Sequence, residues 1–207
     1  MTDPGTAASI AAARRRGDAA LAGHAGDEAT ARSFLCDLDP EVRATALGAL
    51  VRMGRATADD ARAALEDPDP LARRRACELG AALPGAPFAS LLGDPDDLVV
   101  EAACYATGEA GDALAVPALV RIASEHTDAL CRESAVAALG AIGDRGGLSA
   151  VLAALDDKPQ IRRRAVSALA TFEGPESDAA LRRCLKDRDW QVRQAAEDVL
   201  GVIADDD

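Results

Sequence analysis

The sequence predicts an all-α fold, a right-handed α-solenoid of about six helical hairpins preceded by an N-terminal capping helix. Hydrophobic residues make up 49% of the 207 residues, but aromatic residues make up only 2%. The apolar residues are mostly Ala, Leu and Val, a set that suits closely packed helices better than strands. In addition, one short pattern returns about every thirty residues along the chain.

The repeated pattern reads V-R-x-x-A-x-x-A-L-G, with an Asp six residues before the Arg and often another four before it. The anchor position of the pattern is occupied in six copies by Arg43, Arg73, Val100, Arg132, Arg162 and Arg193. The successive gaps are 30, 27, 32, 30 and 31 residues, and a degenerate seventh copy begins at Arg14. A period of this length is typical of a solenoid.

Each copy predicts a helical hairpin. Counted from the anchor, apolar or small residues fill positions −1, +3, +6, +7 and +10, which lie on one face of an α-helix. In the fourth copy these are Cys131, Ala135, Ala138, Leu139 and Ile142. The preceding half of each copy, such as residues 116–125, forms a second, shorter amphipathic helix, and turn residues such as those at 67–70 separate the two.

The pattern also predicts how the chain is divided. Residues 1–26 form the capping helix, which shields the apolar side of the first repeat. Residues 27–204 form the repeat array, with units at about 27–54, 55–84, 85–111, 112–143, 144–174 and 175–204. Residues 205–207 form an acidic tail.

The charge balance disfavours some partners. Acidic residues outnumber basic ones 35 to 23, and the formal net charge of −12 repels phosphate backbones and anionic membranes. A nucleic-acid partner is therefore disfavoured. No apolar run reaches membrane-spanning length, and the positive charge near the N-terminus follows the apolar stretch, so we expect a cytoplasmic protein.

The cysteines do not suggest a metal site. All five, at 36, 77, 104, 131 and 184, lie far apart without a CxxC motif, and each fits a small apolar position of the helical pattern. We therefore expect reduced cysteines in the core, no metal and no cofactor.

The motif D-x-D-P-x-V-R-x-x-A-x-x-A-L-G resembles the HEAT repeat, in particular the phycobilisome-lyase HEAT-like subgroup, over about residues 27–204. The resemblance implies a ladder of hydrogen-bonded Asp and Arg pairs between neighbouring repeats. The ladder acids expected on this basis are Asp37, Asp67, Asp94, Asp156 and Asp187. Val100 replaces the Arg of copy three and His126 replaces the Asp of copy four, which suggests either a change of curvature between these repeats or ordinary repeat drift.

The opposite face of each second helix holds positions −3, −2, +1 and +5, with +9 on the flank, and in HEAT-like arrays this row lines a concave groove. The residues that we expect to bind a partner there are Arg74, Glu78, Leu98, Glu101, Tyr105, Glu109, Leu130, Glu133, Arg163, Trp190 and Gln194. Tyr105 and Trp190 are the only Tyr and Trp, and such side chains commonly anchor interfaces. Alternatively, Trp190 has a structural role and covers the preceding hairpin.

Four glutamates, Glu78, Glu101, Glu109 and Glu133, would make the middle of this groove acidic, flanked by Arg74 and Arg163. A partner segment bearing Arg or Lys is then favoured. The alternative is a solvated charged face that only keeps the array soluble.

The chain carries no recognisable catalytic motif, since it contains no GxSxG, P-loop, HExxH or Gly-rich dinucleotide turn. HEAT-repeat hydroxylases use paired His-Glu motifs, and no His-Glu dipeptide occurs here. We therefore expect a non-enzymatic scaffold or adaptor that binds another protein or a peptide segment of it. The alternatives are a lyase or chaperone of the bilin-attachment kind and a nucleic-acid-binding repeat protein. The oligomeric state is left open by the sequence.

Overall fold

The computed structural model describes residues 4–205, with side chains from 8 to 201, and all regular structure in that range is helical. The α-helices are α1 Pro4–Ala25, α2 Glu28–Ser33, α3 Pro40–Arg52, α4 Ala58–Leu65, α5 Pro70–Leu79, α6 Asp97–Glu109, α7 Val116–Glu125, α8 Ala129–Ile142, α9 Leu148–Ala153, α10 Pro159–Leu169, α11 Pro175–Cys184 and α12 Trp190–Asp205. This arrangement confirms the predicted all-α repeat solenoid.

The chain forms two compact halves, Met1–Phe88 and Ala89–Asp207. In the N-terminal half α1, α3 and α5 pack side by side, with α2 against α3 and α4 against α5. In the C-terminal half α6, α8, α10 and α12 pack in succession, and α7, α9 and α11 each pack against the helix that follows them. The proposed repeat boundaries and the change of curvature stay predictions, and Asp206 and Asp207 of the expected tail lie outside the described residues.

The turn residues of the repeat fix where the second helices begin. Asp39 is the N-cap of α3 and accepts the Glu41 N–H at 2.9 Å, while Pro40 occupies the first helical turn, where a missing N–H costs nothing. The same pair recurs at Asp69 and Pro70 of α5. The second Asp of the motif is therefore a capping residue, which the spacing alone did not reveal.

The predicted core positions of copy four are confirmed. Cys131, Ala135, Ala138 and Leu139 are at most 2% exposed, and Ile142 is half-buried. Small residues let the second helices approach closely, since a Cβ added at Gly108 would lie only 2.7 Å from the Cα of Ala138. Close helix packing therefore depends on Gly and Ala at fixed places in the repeat.

One cysteine does not follow the prediction. All five thiols are free, and those at 77, 104, 131 and 184 are buried, but Cys36 is exposed. Cys36 is the last residue of the 3₁₀ turn Phe34–Cys36, outside the regular helical register from which the core positions were counted. Its assignment to the core was therefore wrong.

The Asp and Arg ladder is present within each half. In the C-terminal half Arg162 donates from Nε and Nη2 to the two carboxylate oxygens of Asp187, at 2.9 and 2.8 Å. In the N-terminal half Arg43 binds Asp67 in the same forked way, at 2.7 and 2.6 Å. We call each such pair a rung; it joins the Arg of one repeat to the Asp of the next, using the planar geometry of guanidinium.

The anchor Arg of a repeat also closes its own hairpin turn. Nη1 of Arg43 donates to the Asp37 carbonyl oxygen at 2.8 Å, and Nη1 of Arg162 donates to the Asp157 carbonyl oxygen at 2.9 Å. The guanidinium thus ties the turn before its own helix to the turn of the following repeat. This double attachment makes the ladder residues structural.

Two details of the ladder differ from the prediction. Arg132 pairs with Asp157, at 2.7 and 3.0 Å, so Asp157 and not Asp156 is the ladder acid of copy five. The turn there is one residue shorter, because Lys158 alone separates the Asp from the helix-starting Pro159. In the degenerate first copy the rung to Asp37 is formed by Arg15, one residue after the proposed Arg14.

Val100 and His126 are the two ends of one missing rung, because a rung joins an anchor to the Asp position of the following repeat. Val100 is 2% exposed, and His126 keeps only the turn-forming role of the Asp, accepting the Asp128 N–H on Nδ1 at 3.1 Å. Both polar partners of this rung are absent together, so neither an Arg nor an Asp is left here without its counterpart.

The rungs predict acid sensitivity. Hydrogen bonding to Arg162 holds the pKa of Asp187 below its ordinary 3.8, and hydrogen bonding to Arg132 does the same for Asp157. A lowered folded-state pKa contributes stability that is present above the unfolded value and is lost as pH falls through the folded value. We expect the urea midpoint of unfolding to be steady from about pH 7 to 5 and to fall below about pH 4.

The control for this prediction is Asp187→Asn. The stability difference between the native protein and this variant should be largest near neutral pH and should shrink steadily below about pH 4. A difference that stays constant down to about pH 2 would contradict the assignment of the acid sensitivity to the rung.

No helix among the described residues has the length and apolar character needed to cross a membrane.

Candidate functional site

The residues expected to bind a partner all lie at the surface, none of them buried. Four large apolar side chains among them are strongly exposed: Leu98 at 50%, Tyr105 at 59%, Leu130 at 55% and Trp190 at 65%. All four lie in the C-terminal half. Side chains of this size outside the core are candidates for contact with a partner.

Helical spacing on α6 brings four of these residues onto one face. The helix begins after the N-cap Asp96, and Leu98, Glu101, Tyr105 and Glu109 follow at intervals of three and four residues. Residues at this spacing lie one above the other along a helix. The α6 face therefore presents an apolar side chain, a carboxylate, a phenol and a second carboxylate in order.

An open cleft of about 240 Å³ lies on this face between α6, α8 and α10. We call it the Tyr105 cleft. It is lined by Glu101, Tyr105, Leu130, Glu133, Ser134, Ala137 and Arg164. The structure thus brings together four of the residues predicted from the sequence.

Ser134, Ala137 and Arg164 were missed. Ser134 and Arg164 stand at position +2, which was not counted as part of the exposed row; Ala137 stands at the counted position +5 but was not among the residues expected to bind a partner. Position +2 is one helical turn after position −2, so the i, i+4 relation to Leu130 would have found Ser134. The Ser134 hydroxyl donates to Glu101 Oε1 at 3.3 Å.

The cleft has an acidic side. Glu133 lies 3.6 Å from Nη2 of Arg164, so its charge is partly balanced. Neither Glu101 nor Glu109 forms an ion pair with an Arg or Lys in the described part of the chain. The cleft and its α6 edge therefore carry more negative than positive charge.

The remaining predicted residues of the C-terminal half do not line this cleft. Trp190 begins α12, and the neighbouring Gln191 accepts a long 3.5 Å contact from Arg163. Gln194 donates to Asp198 on its own helix at 2.9 Å. With two thirds of Trp190 exposed, only a minor part of the indole is available to cover the preceding hairpin.

Arg74 and Glu78 lie in the N-terminal half, in a separate open cleft of about 430 Å³ between α1, α3 and α5. Glu78 forms an ion pair there with Arg74, whose Nε lies 2.9 Å from Oε1, and accepts a hydrogen bond from Arg75 Nη1 at 3.2 Å. Two guanidinium groups thus balance this carboxylate. Glu78 does not make its face acidic, contrary to the expectation from the sequence.

One cluster outside the cleft contains possible metal ligands. Asp97, His126 and Cys131 each place a potential ligand atom within 4.8 Å of the others. However, His126 Nδ1 accepts a backbone N–H, whereas a histidine bound to metal through Nε2 normally donates from Nδ1. The Cys131 thiol donates to the Asp97 carbonyl oxygen at 3.2 Å, and burial raises its pKa to about 12. This hydrogen bonding does not suit a metal ion.

Comparison with solved structures gives several repeat proteins. One is the complex of CpcE and CpcF of phycocyanin lyase from Nostoc sp. PCC7120, with 26% identity, a TM-score of 0.61, and coverage of 85% of this chain and 76% of that chain. Another is a designed armadillo repeat protein in complex with the peptide (KR)4, with 17% identity, a TM-score of 0.51, and coverage of 97% and 94%.

An engineered protein is also similar, with 21% identity and a TM-score of 0.62; the match covers 94% of this chain but 64% of the engineered one. The likenesses to the armadillo and engineered proteins concern the fold alone. No curated protein matches the sequence significantly.

The family model for HEAT repeats matches residues 62–140, 85–160 and 148–207. These matches together cover well over half of the chain, and they include every rung of the C-terminal half described above. By its repeat motif, its paired helices and these matches, the chain belongs to the HEAT-repeat family.

Proposed function

We propose that this protein is a non-enzymatic adaptor that binds a basic peptide segment of another protein in the Tyr105 cleft. The observation that carries the proposal is the 59% exposed phenol of Tyr105 in one cleft with Leu130 and the carboxylate of Glu101. An Arg or Lys side chain can bind where an aromatic ring, an apolar side chain and an unbalanced negative charge lie together.

The phenol ring supplies the anchor. A guanidinium placed over an aromatic face gains about 0.5–2 kcal/mol. The aliphatic part of an Arg or Lys side chain also packs on apolar surface while its charged end stays in water. Leu98 and Leu130, each about half exposed, offer that surface beside Tyr105.

The carboxylates supply the preference for a cation. Glu101 and Glu109 stand on the same face of α6, before and after Tyr105. A cation stacked on the phenol can therefore reach a carboxylate on either side of the ring. This contribution is electrostatic, so binding should weaken as salt is added.

The likeness to other repeat proteins supports the proposal at the level of the fold. A designed armadillo repeat protein of similar architecture holds the basic peptide (KR)4, and the CpcE and CpcF chains of the Nostoc structure form a complex with each other. Helical repeat folds can thus present a long surface to another chain. On this proposal Leu98, Glu109, Arg163, Trp190 and Gln194 extend the binding face beyond the cleft.

The peptide (KR)4, labelled with fluorescein, is a direct probe. We expect Tyr105→Ala to raise its Kd about tenfold, because the anchor of the cleft is removed. The matched control is Leu114→Ala, which removes a 93% exposed Leu away from the cleft and should leave the Kd unchanged. Fluorescence anisotropy measures both, and circular dichroism checks that the helical content is retained.

Two further variants distinguish binding in the cleft from nonspecific attraction of a basic peptide to an acidic protein. Glu101→Gln should weaken (KR)4 binding more than Glu125→Gln, which removes an exposed carboxylate on α7 outside the cleft. Trp190→Ala shows whether the binding face extends to α12. Equal effects of Tyr105→Ala and Leu114→Ala on the Kd for (KR)4 would contradict the proposal.

A second function, that of a lyase or chaperone holding a pigment, is favoured by the 26% identity to the phycocyanin lyase structure. Such a role would depend on holding two reactants near each other. Co-expression with a bilin tests it: a visible absorbance band that co-purifies with the protein supports this function, and a colourless preparation contradicts it.

A further inference from the structure

We propose that the cleft of the N-terminal half is a second binding site, specific for an acidic peptide segment. We call it the Arg52 cleft. It is formed by Arg16 on α1, by Glu41 and Arg52 on α3, and by the α5 residues Leu71, Arg74, Arg75 and Glu78. The site would give the adaptor a second surface with a charge preference opposite to that of the Tyr105 cleft.

The charges of the Arg52 cleft favour an anion. Four guanidinium groups line it against two carboxylates. Both carboxylates already have cationic partners: Glu41 is paired with Arg16, and Glu78 is paired with Arg74 and Arg75. This cleft is therefore locally positive on a chain whose formal net charge is −12.

Arg52 is the guanidinium that remains available. It has no hydrogen bond or ion pair with any of residues 8–201. Its Nη1 atom would lie 2.7 Å from a Cβ added at Gly23, so the group rests on α1 where a glycine leaves room for it. A guanidinium held in this way loses less freedom when it binds a carboxylate.

The form of the cleft favours a peptide over a nucleic acid. Glu41 and Glu78 stand among the arginines and would repel a continuous chain of phosphates. Separate carboxylate side chains can instead each meet one forked guanidinium. Leu71, 41% exposed in the same cleft, offers an apolar contact that a peptide with a Leu among its acids can use.

The test uses the full chain and a fluorescein-labelled octapeptide, EELEELEE. We expect Arg52→Glu to weaken its binding at least tenfold in fluorescence anisotropy. The matched control is Arg62→Glu, the same change at an exposed Arg of α4 that lies outside the cleft and pairs with Asp59 at 2.8 Å. Because the substitution lies at the surface outside the cleft, the Kd of the control for the peptide should stay within about twofold of that of the unchanged protein.

Equal weakening by Arg52→Glu and Arg62→Glu would overturn the proposal, because the effect would then come from total charge. Unlabelled octathymidylate is the competitor that represents phosphates. If it displaces EELEELEE at equal concentration, the site selects phosphates and the proposal for a peptide fails; no displacement supports it.

The two proposals fail separately. Tyr105→Ala should reduce the binding of (KR)4 and leave that of EELEELEE unchanged, while Arg52→Glu should not weaken the binding of (KR)4. Loss of the acidic peptide alone would leave the proposed function of the Tyr105 cleft intact. Failure to bind the basic peptide alone would leave the proposal for the Arg52 cleft intact.

Discussion

Replacing Arg162 with alanine is expected to lower the free energy of unfolding by about 3–5 kcal/mol, the usual cost of removing one partner of a buried ion pair. The side chains of Arg162 and Asp187 are only 5% and 15% exposed. The change removes two hydrogen bonds to Asp187 and a third, of 2.9 Å, to the Asp157 carbonyl oxygen. A carboxylate and a carbonyl group would remain in a poorly solvated place without their donor.

The neighbouring Arg163 provides the control, since it is exposed and makes only a long 3.5 Å contact with Gln191. Arg163→Ala should change the stability by no more than about 0.5 kcal/mol. Urea denaturation followed by circular dichroism measures the two effects, and hydrogen exchange should show protection lost first in α10 and α12. Equal stabilities of the two variants would show that the rung does not hold these repeats together.

Arg162→Lys separates charge from geometry. Lysine keeps the positive charge but cannot donate two parallel hydrogen bonds to Asp187 and a third to the turn. We therefore expect its stability to lie between those of the unchanged protein and Arg162→Ala. Full retention of stability by lysine would contradict the importance of the forked geometry.

The periodic part of the fold could be predicted from the sequence because the core positions recur at helical spacing. Cys131 and Leu139, for example, are buried as their positions in the repeat require. The predictions that were wrong concern residues at places where the repeat period is interrupted. The shortened turn before Pro159 moves the ladder acid from Asp156 to Asp157, and a count from the anchor cannot detect that shift.

The sequence could indicate which side chains lie on an exposed helix face, but not which of their charges are balanced. The sequence indicates that Glu78 and Glu101 share one kind of face, and the structure shows both at the surface. Whether a carboxylate is balanced depends on rotamers and on neighbouring side chains, since Arg75 lies 3.2 Å from Glu78, while within residues 8–201 Glu101 has a serine hydroxyl and no Arg or Lys as its partner. Such pairing depends on contacts between side chains, which a periodic pattern does not specify.

The missing rung shows how the repeat tolerates change. A lone loss of Arg at position 100 would have left a carboxylate at 126 without its partner, a costly arrangement near a packed interface. Here the sequence has Val100 and His126 together, and the histidine retains the hydrogen bond to the Asp128 N–H. Helix packing between α6 and α8 must then be supplied by close contact, and Gly108 against Ala138 provides it.

Gly140 should be equally intolerant of a side chain, and we expect Gly140→Ala to destabilise the protein by about 1–2 kcal/mol, with Gly140→Leu costing more. A Cβ at this position would lie 2.6 Å from the Cβ and 2.8 Å from the Cα of Ala168, so α8 and α10 would have to move apart. The backbone of α10 cannot rotate away as a long side chain could. The higher helix propensity of alanine offsets only about 1 kcal/mol of this cost.

Gly17→Ala is the matched change, because Gly17 lies within α1 and, apart from its chain neighbours and the local helix backbone, no atom comes within 4 Å of an added Cβ. At Gly17 only the helix propensity changes, so the free energy of unfolding should rise by about 0.5–1 kcal/mol. The two substitutions are chemically identical, and urea denaturation should show opposite signs. If Gly140→Ala also stabilised the protein, α8 and α10 would not be as close as the structure has them, and close packing of the second helices would not explain the small residues of the repeat.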